Sequence, residues 1–250
     1  MSVDPSAFRF SSYQAVSFYA NVQLSVNRVL PRLITDLGDT LDGDPIALPI
    51  PADAPPEVPR LVLANKDQSV RFDISLRRAD VRWLRQATGH EMPISDFSSF
   101  SQRALNTFHQ AVHLRPSRVA LVASRFQLAE NPGMVLARHF CRPELLSNDP
   151  SKKGPLNRPE NFELHSHKKF QMGRFLVNSW MRCKSGMQSI ADRNRSILFV
   201  EQDINTLTEV MEETELSGDD IRDFHHLALG ELETILRLYF PHPETARPFQ

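Results

Sequence analysis

Between Val16 and Leu24 the chain alternates: Val16, Phe18, Ala20, Val22 and Leu24 fall between Ser17, Tyr19, Asn21 and Gln23. A period of two predicts a half-buried strand. The spacing then lengthens, with Val26, Val29, Leu30, Leu33, Ile34, Leu37 and Leu41 recurring at three and four, which predicts an amphipathic helix. Pro31 falls inside that pattern, so the helix holds it in its first turn or starts later. Residues 42–59 carry six prolines and read as a long extended connector. A short strand near Arg60–Ala64, a turn at Asn65–Gln68 and a strand with Val70, Phe72, Ile74 and Leu76 on one side predict a hairpin. A helix follows over about 95–114, with Ser95 as N-cap and Phe97, Phe100, Ala104, Leu105, Phe108 and Val112 on one face.

The second half runs in the same order. Val119, Leu121 and Ala123 begin a strand whose phase shifts before Phe126 and Leu128, which predicts a bulge. Asn131-Pro132 marks a helix start with proline at its first position. A second long loop spans 142–160, and strands are expected over about 161–171, 174–185 and 196–204. The last helix, about 218–240, has the clearest pattern: Ile221, Phe224, Ala228, Leu232, Ile235 and Tyr239 step by three or four. Ser217 and Asp220 fit a capping arrangement, and Pro241 stops the helix. The expected fold class is therefore α+β: two similar β-α-β-β-α type halves, about 14–116 and 117–240, with an antiparallel sheet and helices on one face. Residues 1–13 are expected as a flexible leader, and 241–250 as a tail to this single domain.

Of the 250 residues, 41% are hydrophobic and 24% charged, an ordinary globular balance that argues against disorder. The 29 lysines and arginines nearly match the 30 acids, whereas a protein that coats nucleic acid usually carries a basic excess. A local basic stripe stays open as an alternative. Two cysteines, Cys141 and Cys183, are too few for a disulfide framework. The first residues have no signal-peptide pattern, and no apolar run approaches the roughly 18 residues of a membrane span. The expectation is a cytoplasmic protein without membrane contact.

Four segments share a familiar order and spacing: VRFDISLRRADVRWLR, RVALVASRFQLAENP, SILFVEQDINTL and SGDDIRDFHHLALGELETILRLYF. Together they resemble a sporadically distributed family of bacterial proteins of about this length. Its members end with an acid-bearing strand, a variable loop and a helix with a histidine midway; the matching residues would be Asp203 and His225 or His226. Where the family carries an asparagine-arginine-isoleucine-like run, this chain has Ser124-Arg125-Phe126. The family has no established activity, so the resemblance implies fold, and its patchy distribution suggests mobile or defence-associated modules.

Candidate chemistry is sparse. His165 and His167 would share one strand face, as zinc ligands do, although they also fit a solvent face opposite Phe162 and Leu164. His139 and Cys141 sit at a helix end, where residues two apart do not share a face. Glu201 and Asp203 alternate on one face of the 196–204 strand and, with Lys184 from the preceding strand, could hold a cation or do acid–base work. The plainer reading is cross-strand ion pairing. Cys183 alternates with Met181, Ser179 and Val177 as a core thiol would. Arg77, Arg78, Arg82 and Arg85, with Trp83 among them, could bind nucleic acid or phosphate, or end a strand in solvent. Nine glycines form neither a P-loop nor a dinucleotide fingerprint, so no cofactor is expected. The first expectation is a non-catalytic protein-interaction or regulatory protein with a protein partner, such as a toxin-neutralising or accessory subunit of a bacterial defence module. The alternatives are a nucleic-acid-binding regulator and a divergent metal-dependent hydrolase.

Overall fold

The computed structural model describes residues 3–20, 22–51, 53–86, 91–142, 146, 159–190, 193–207 and 215–241. Most of the loop expected over 142–160 and nearly all of the 241–250 tail lie outside them. Within them run β1 (Arg9–Phe18), α1 (Val26–Leu37), β2 (Ile46–Ala47), β3 (Leu61–Ala64), β4 (Val70–Ile74), β5 (Arg78–Leu84) and α2 (Ile94–Val112). Next come β6 (Arg118–Leu128), α3 (Pro132–Phe140), β7 (Glu163–Met172), β8 (Phe175–Ile190), β9 (Arg193–Thr206) and α4 (Gly218–Tyr239). All nine strands form one antiparallel sheet in the order β2-β3-β4-β5-β1-β6-β9-β8-β7, so the fold is mixed α+β.

Alternation along each strand divides the sheet into two chemistries. On one side lie Tyr13 and Ala15 of β1, Val81 and Trp83 of β5, Leu121 and Ala123 of β6, Val200 and Ile204 of β9, and Met181 and Cys183 of β8. These join a single core cluster to which every helix contributes: Leu33 of α1, Phe97 and Phe108 of α2, Leu136 of α3, and Phe224 and Leu232 of α4. Residues of the opposite side, such as Val16, Val62 and Ala120, are buried but fall outside that cluster.

Several elements differ from expectation for identifiable reasons. β1 starts at Arg9, inside the stretch expected as a leader, and Tyr13 is a fully buried core residue stacked on Trp83 and Phe97. The predicted bulge exists but belongs to β1: its partner steps from Phe126–Arg125 to Ser124 while β1 passes from Phe10 to Ser12, leaving Ser11 extra. β5 was not expected as a strand because its arginines mask the alternation of Ala79, Val81 and Trp83. Pro31 lies in the interior of α1, at its sixth residue. An interior proline costs about 3 kcal/mol, whereas burying Val29, Leu33 and Leu37 stabilises by about 2 kcal/mol each. Packing therefore wins, and the helix continues. The N-cap of α2 is Pro93 rather than Ser95.

Two helix starts place the second half. Ser217 and Asp220 form a complete capping box at α4, each side chain bonding the other's backbone N–H. α3 begins at Pro132 as expected, but Asn131 adopts a left-handed conformation (φ 53°) and makes no cap bond. Only three residues separate β6 from α3, and asparagine tolerates the reversal this needs. Gly133 then lies against the chain at residues 159–160: a Cβ there would sit 2.5 Å from the carbonyl oxygens of Pro159 and Glu160. Gly133→Ala should lower the unfolding free energy by about 2 kcal/mol, seen as a lower urea midpoint.

Candidate functional site

The polar side of the sheet is built by register. In β4, Arg71 and Asp73 share that side; in β5, Arg78, Asp80 and Arg82 do. Pairing sets Asp73 directly opposite Asp80 and Arg71 opposite Arg82. Two facing carboxylates repel, and these are almost inaccessible, at 4% and 3% exposure. Guanidiniums offset the repulsion. Arg71 Nε donates to Asp73 (2.7 Å), Arg78 Nε donates to Asp80 (2.6 Å), Arg82 lies 3.6 Å from Asp80, and Gln14 of β1 donates to it as well.

The other half of the sheet continues the band. Arg182 of β8 donates to Glu201 of β9 (2.6 Å). His167 of β7 donates to Asn178 Oδ1 (3.0 Å), Asn178 Nδ2 to Asn205 Oδ1 (3.2 Å), and Asn205 Nδ2 to Asp203 (2.9 Å). Arg118 of β6 also donates to Asn205 Oδ1 (2.9 Å), closing the network toward the sheet centre. Its guanidinium lies 4.5 Å from the Phe18 ring centroid, and that of Arg78 lies 5.5 Å from the same ring. His167 stacks on Trp180 (4.2 Å), which Arg182 also approaches. From Arg71 to His167 the band crosses seven of the nine strands.

This arrangement disposes of the expected sites in definite ways. The four arginines do not form one cluster. Arg78 and Arg82 share Asp80, whereas Arg77 approaches Glu57 (3.8 Å) and Arg85 pairs with Glu91; Trp83 is in the core. Glu201 and Asp203 do alternate on the polar side, but Arg182 and Asn205 occupy their oxygens. Lys184 stands opposite Phe199 in register, one step from Glu201, with its amine 5.2 Å from that ring. His165 and His167 are exposed, and His167 is committed to Asn178 and Trp180. His139 Nε2 donates to the Tyr239 carbonyl (2.7 Å). Among the described residues no group of three His, Cys, Asp or Glu side chains could hold a metal ion.

His225, midway along α4, is fully buried between α4 and α2, with Nδ1 3.4 Å from Ser98 Oγ. Burial pushes its pKa down to about 4. Cys183 is a core thiol pushed up to about 12 by burial. In the folded protein it should therefore resist maleimide, while the partly exposed Cys141 reacts. Mass spectrometry after a short exposure should find one label, not two, until denaturant is added.

The band's central residues, Arg118, Asn178, Asn205, Asp73 and Asp80, were not expected from the sequence. The alternation of Asp73 and Asp80 with arginines was their only local signal; Arg118 and Asn205 are 87 residues apart. No family model matches the sequence, and neither a curated protein nor a solved structure matches the chain. No helix among the described residues is long and apolar enough to cross a membrane.

Proposed function

We propose that the chain is a non-catalytic binding protein whose polar sheet face docks a partner protein. One observation carries the reading: the arginines of that face are held in place by carboxylates and amides of the same face, with aromatic rings between them. Arginine and aromatic side chains are the groups that dominate protein–protein contacts, and lysine is depleted there. Guanidiniums already paired with acids present little net charge to a phosphate backbone, which favours a protein over nucleic acid. The bonded carboxylates are likewise occupied in orienting arginines, which favours recognition over hydrolysis. A surface of this kind suits a neutralising or accessory subunit that acts by occupying its partner.

The same reading takes the chain as one plan used twice. A strand, a helix, a meander and a helix occur in each half, with the two-residue β2 added at the edge of the first, and the sheet orders β2-β3-β4-β5-β1 and β6-β9-β8-β7 support it. The docking face would then span the junction of the halves at β1 and β6.

The test is affinity purification of the tagged chain from its host, beside a Trp180→Ala, Arg182→Glu variant whose fold is checked by circular dichroism. The expected result is one stoichiometric protein whose affinity falls about 30-fold in the variant, the scale of a hot-spot loss. A partner held equally well by the variant, or nucleic acid in its place, would defeat the proposal.

A further inference from the structure

Arg118 differs from the other arginines at the middle of the polar face. Arg71, Arg78, Arg82 and Arg182 each approach a carboxylate within salt-bridge distance. Arg118 has one neutral acceptor, Asn205 Oδ1, and its Nε is buried without any acceptor. Burial also holds its pKa below the ordinary arginine value, opposed by the nearby charge of Asp203 and reinforced by that of Arg78. A half-buried guanidinium with a buried, unbonded Nε is a costly feature for a fold to retain. Here it is kept on the flat ring of Phe18, which pairs in register with Arg118 on one side and with Arg78 on the other.

Resting on the docking reading above, we infer that Arg118 and Arg78, across Phe18, form an oxyanion site that receives a carboxylate of the partner protein. The local charge selects a monoanion. Arg78, Arg82 and Arg118 face Asp80 and Asp203, which leaves one positive charge unmatched. The Arg71–Asp73 pair cancels itself. A carboxylate has one negative charge and accepts charge-assisted bonds from the guanidinium nitrogens that Asp80 and Asn205 do not engage, Nη1 of Arg78 and Nη1 of Arg118, whereas a phosphate dianion would overcompensate. Asn178 and Asn205 fix the Arg118 end of the site, and Asp80 fixes Arg78.

The direct experiment follows the arginine Nε–Hε signals of nitrogen-15-labelled protein during titration with sodium acetate, against sodium chloride at equal ionic strength. The Arg118 signal is identified by its loss in Arg118→Lys. The expected outcome is a saturable shift of the Arg118 and Arg78 signals with acetate, while Arg182 stays in place. No shift, or equal drift of every arginine, overturns the site. A larger response to inorganic phosphate than to acetate overturns the carboxylate assignment. Partner capture separates this site from the broader reading. Arg118→Gln should weaken it at least tenfold. If Trp180→Ala, Arg182→Glu weakens capture but Arg118→Gln does not, the docking face stands and the carboxylate site falls; if neither does, both fall.

Discussion

Taking the protein from neutral pH to about pH 5 should cost the native state on the order of 4 kcal/mol, divided between His225 and His109. Both imidazoles are buried, and burial alone lowers each pKa to about 4 from an ordinary 6.5. The charged form is the one disfavoured in the fold, so the unfolded chain takes up the proton first. Stability is complete above about pH 6.5 and drains as pH falls toward the folded pKa near 4. Among the described residues no charged side chain faces His225: Ser98 Oγ lies beside Nδ1, Gln102 bonds that hydroxyl, and Nε2 has no partner. His109 meets the edge of the buried Tyr19 ring. Asp39, Asp42, Asp67 and Asp220 also lose favourable bonds in acid, but their pKa values are lowered from 3.8, so they act below this window. His225→Leu should therefore halve the loss between neutral pH and pH 5 while changing stability little at neutral pH. Urea unfolding across that range checks it; an unaltered pH slope would remove His225 from the account.

His225 also shows what the pattern of residues could and could not convey. Its place in the helix was legible, because Ile221, Phe224, Ala228 and Leu232 define the apolar stripe and the Ser217–Asp220 box its start. Its depth was not, because α2 covers it, and nothing local to α4 records that neighbour. The same division runs through the fold. Strands whose core-facing positions are apolar, such as β4 with Val70, Phe72 and Ile74 and β6 with Val119, Leu121 and Ala123, announce themselves by alternation. The outer ends of β8 and β9 do not: their pairing runs on to Ile190 and Arg193, past the last partners in β7 and β6 at Glu163 and Leu128. Among the described residues Ser185–Ser189 is flanked by β9 alone and buries little, hence there is no period to read.

The polar face was less legible for a related reason. Glu201 and Asp203 were rightly assigned to a common face, since that needs only the period of two. Which cation meets them depends on register, and register placed Arg182, not Lys184, opposite Glu201. Arg78 and Arg82 looked like half of a basic cluster because Asp80 between them is a single acid among four arginines. The sheet returns the Arg71–Asp73 pair to the same spot and converts the cluster into an ordered ion-pair network with one unmatched positive charge.

Arg125 supplies the second large effect, and it concerns an asymmetry. The side chain lies on β6 beneath α4, 4% exposed, stacked 4.2 Å from Phe10 and paired with Glu233, which is about half exposed. Its Nε has no acceptor. Glu233→Ala would strand a positive charge in the core, and removing one partner of a buried pair costs about 3–5 kcal/mol. Water reaches Glu233, so the lower end, about 3 kcal/mol, is expected here. Arg125→Met deletes the deeper and larger group, yet it should cost only about 1 kcal/mol. Methionine refills most of the space beside Phe10, and the freed Glu233 can turn to solvent. With both changes made, no charge remains to be stranded, so the double variant should recover most of what Glu233→Ala loses. A double-mutant cycle by urea unfolding measures the coupling. Equal losses for the two single variants, or additive ones, would mean that Arg125 is solvated in the native state and that its pairing with Glu233 does not hold α4 on the sheet.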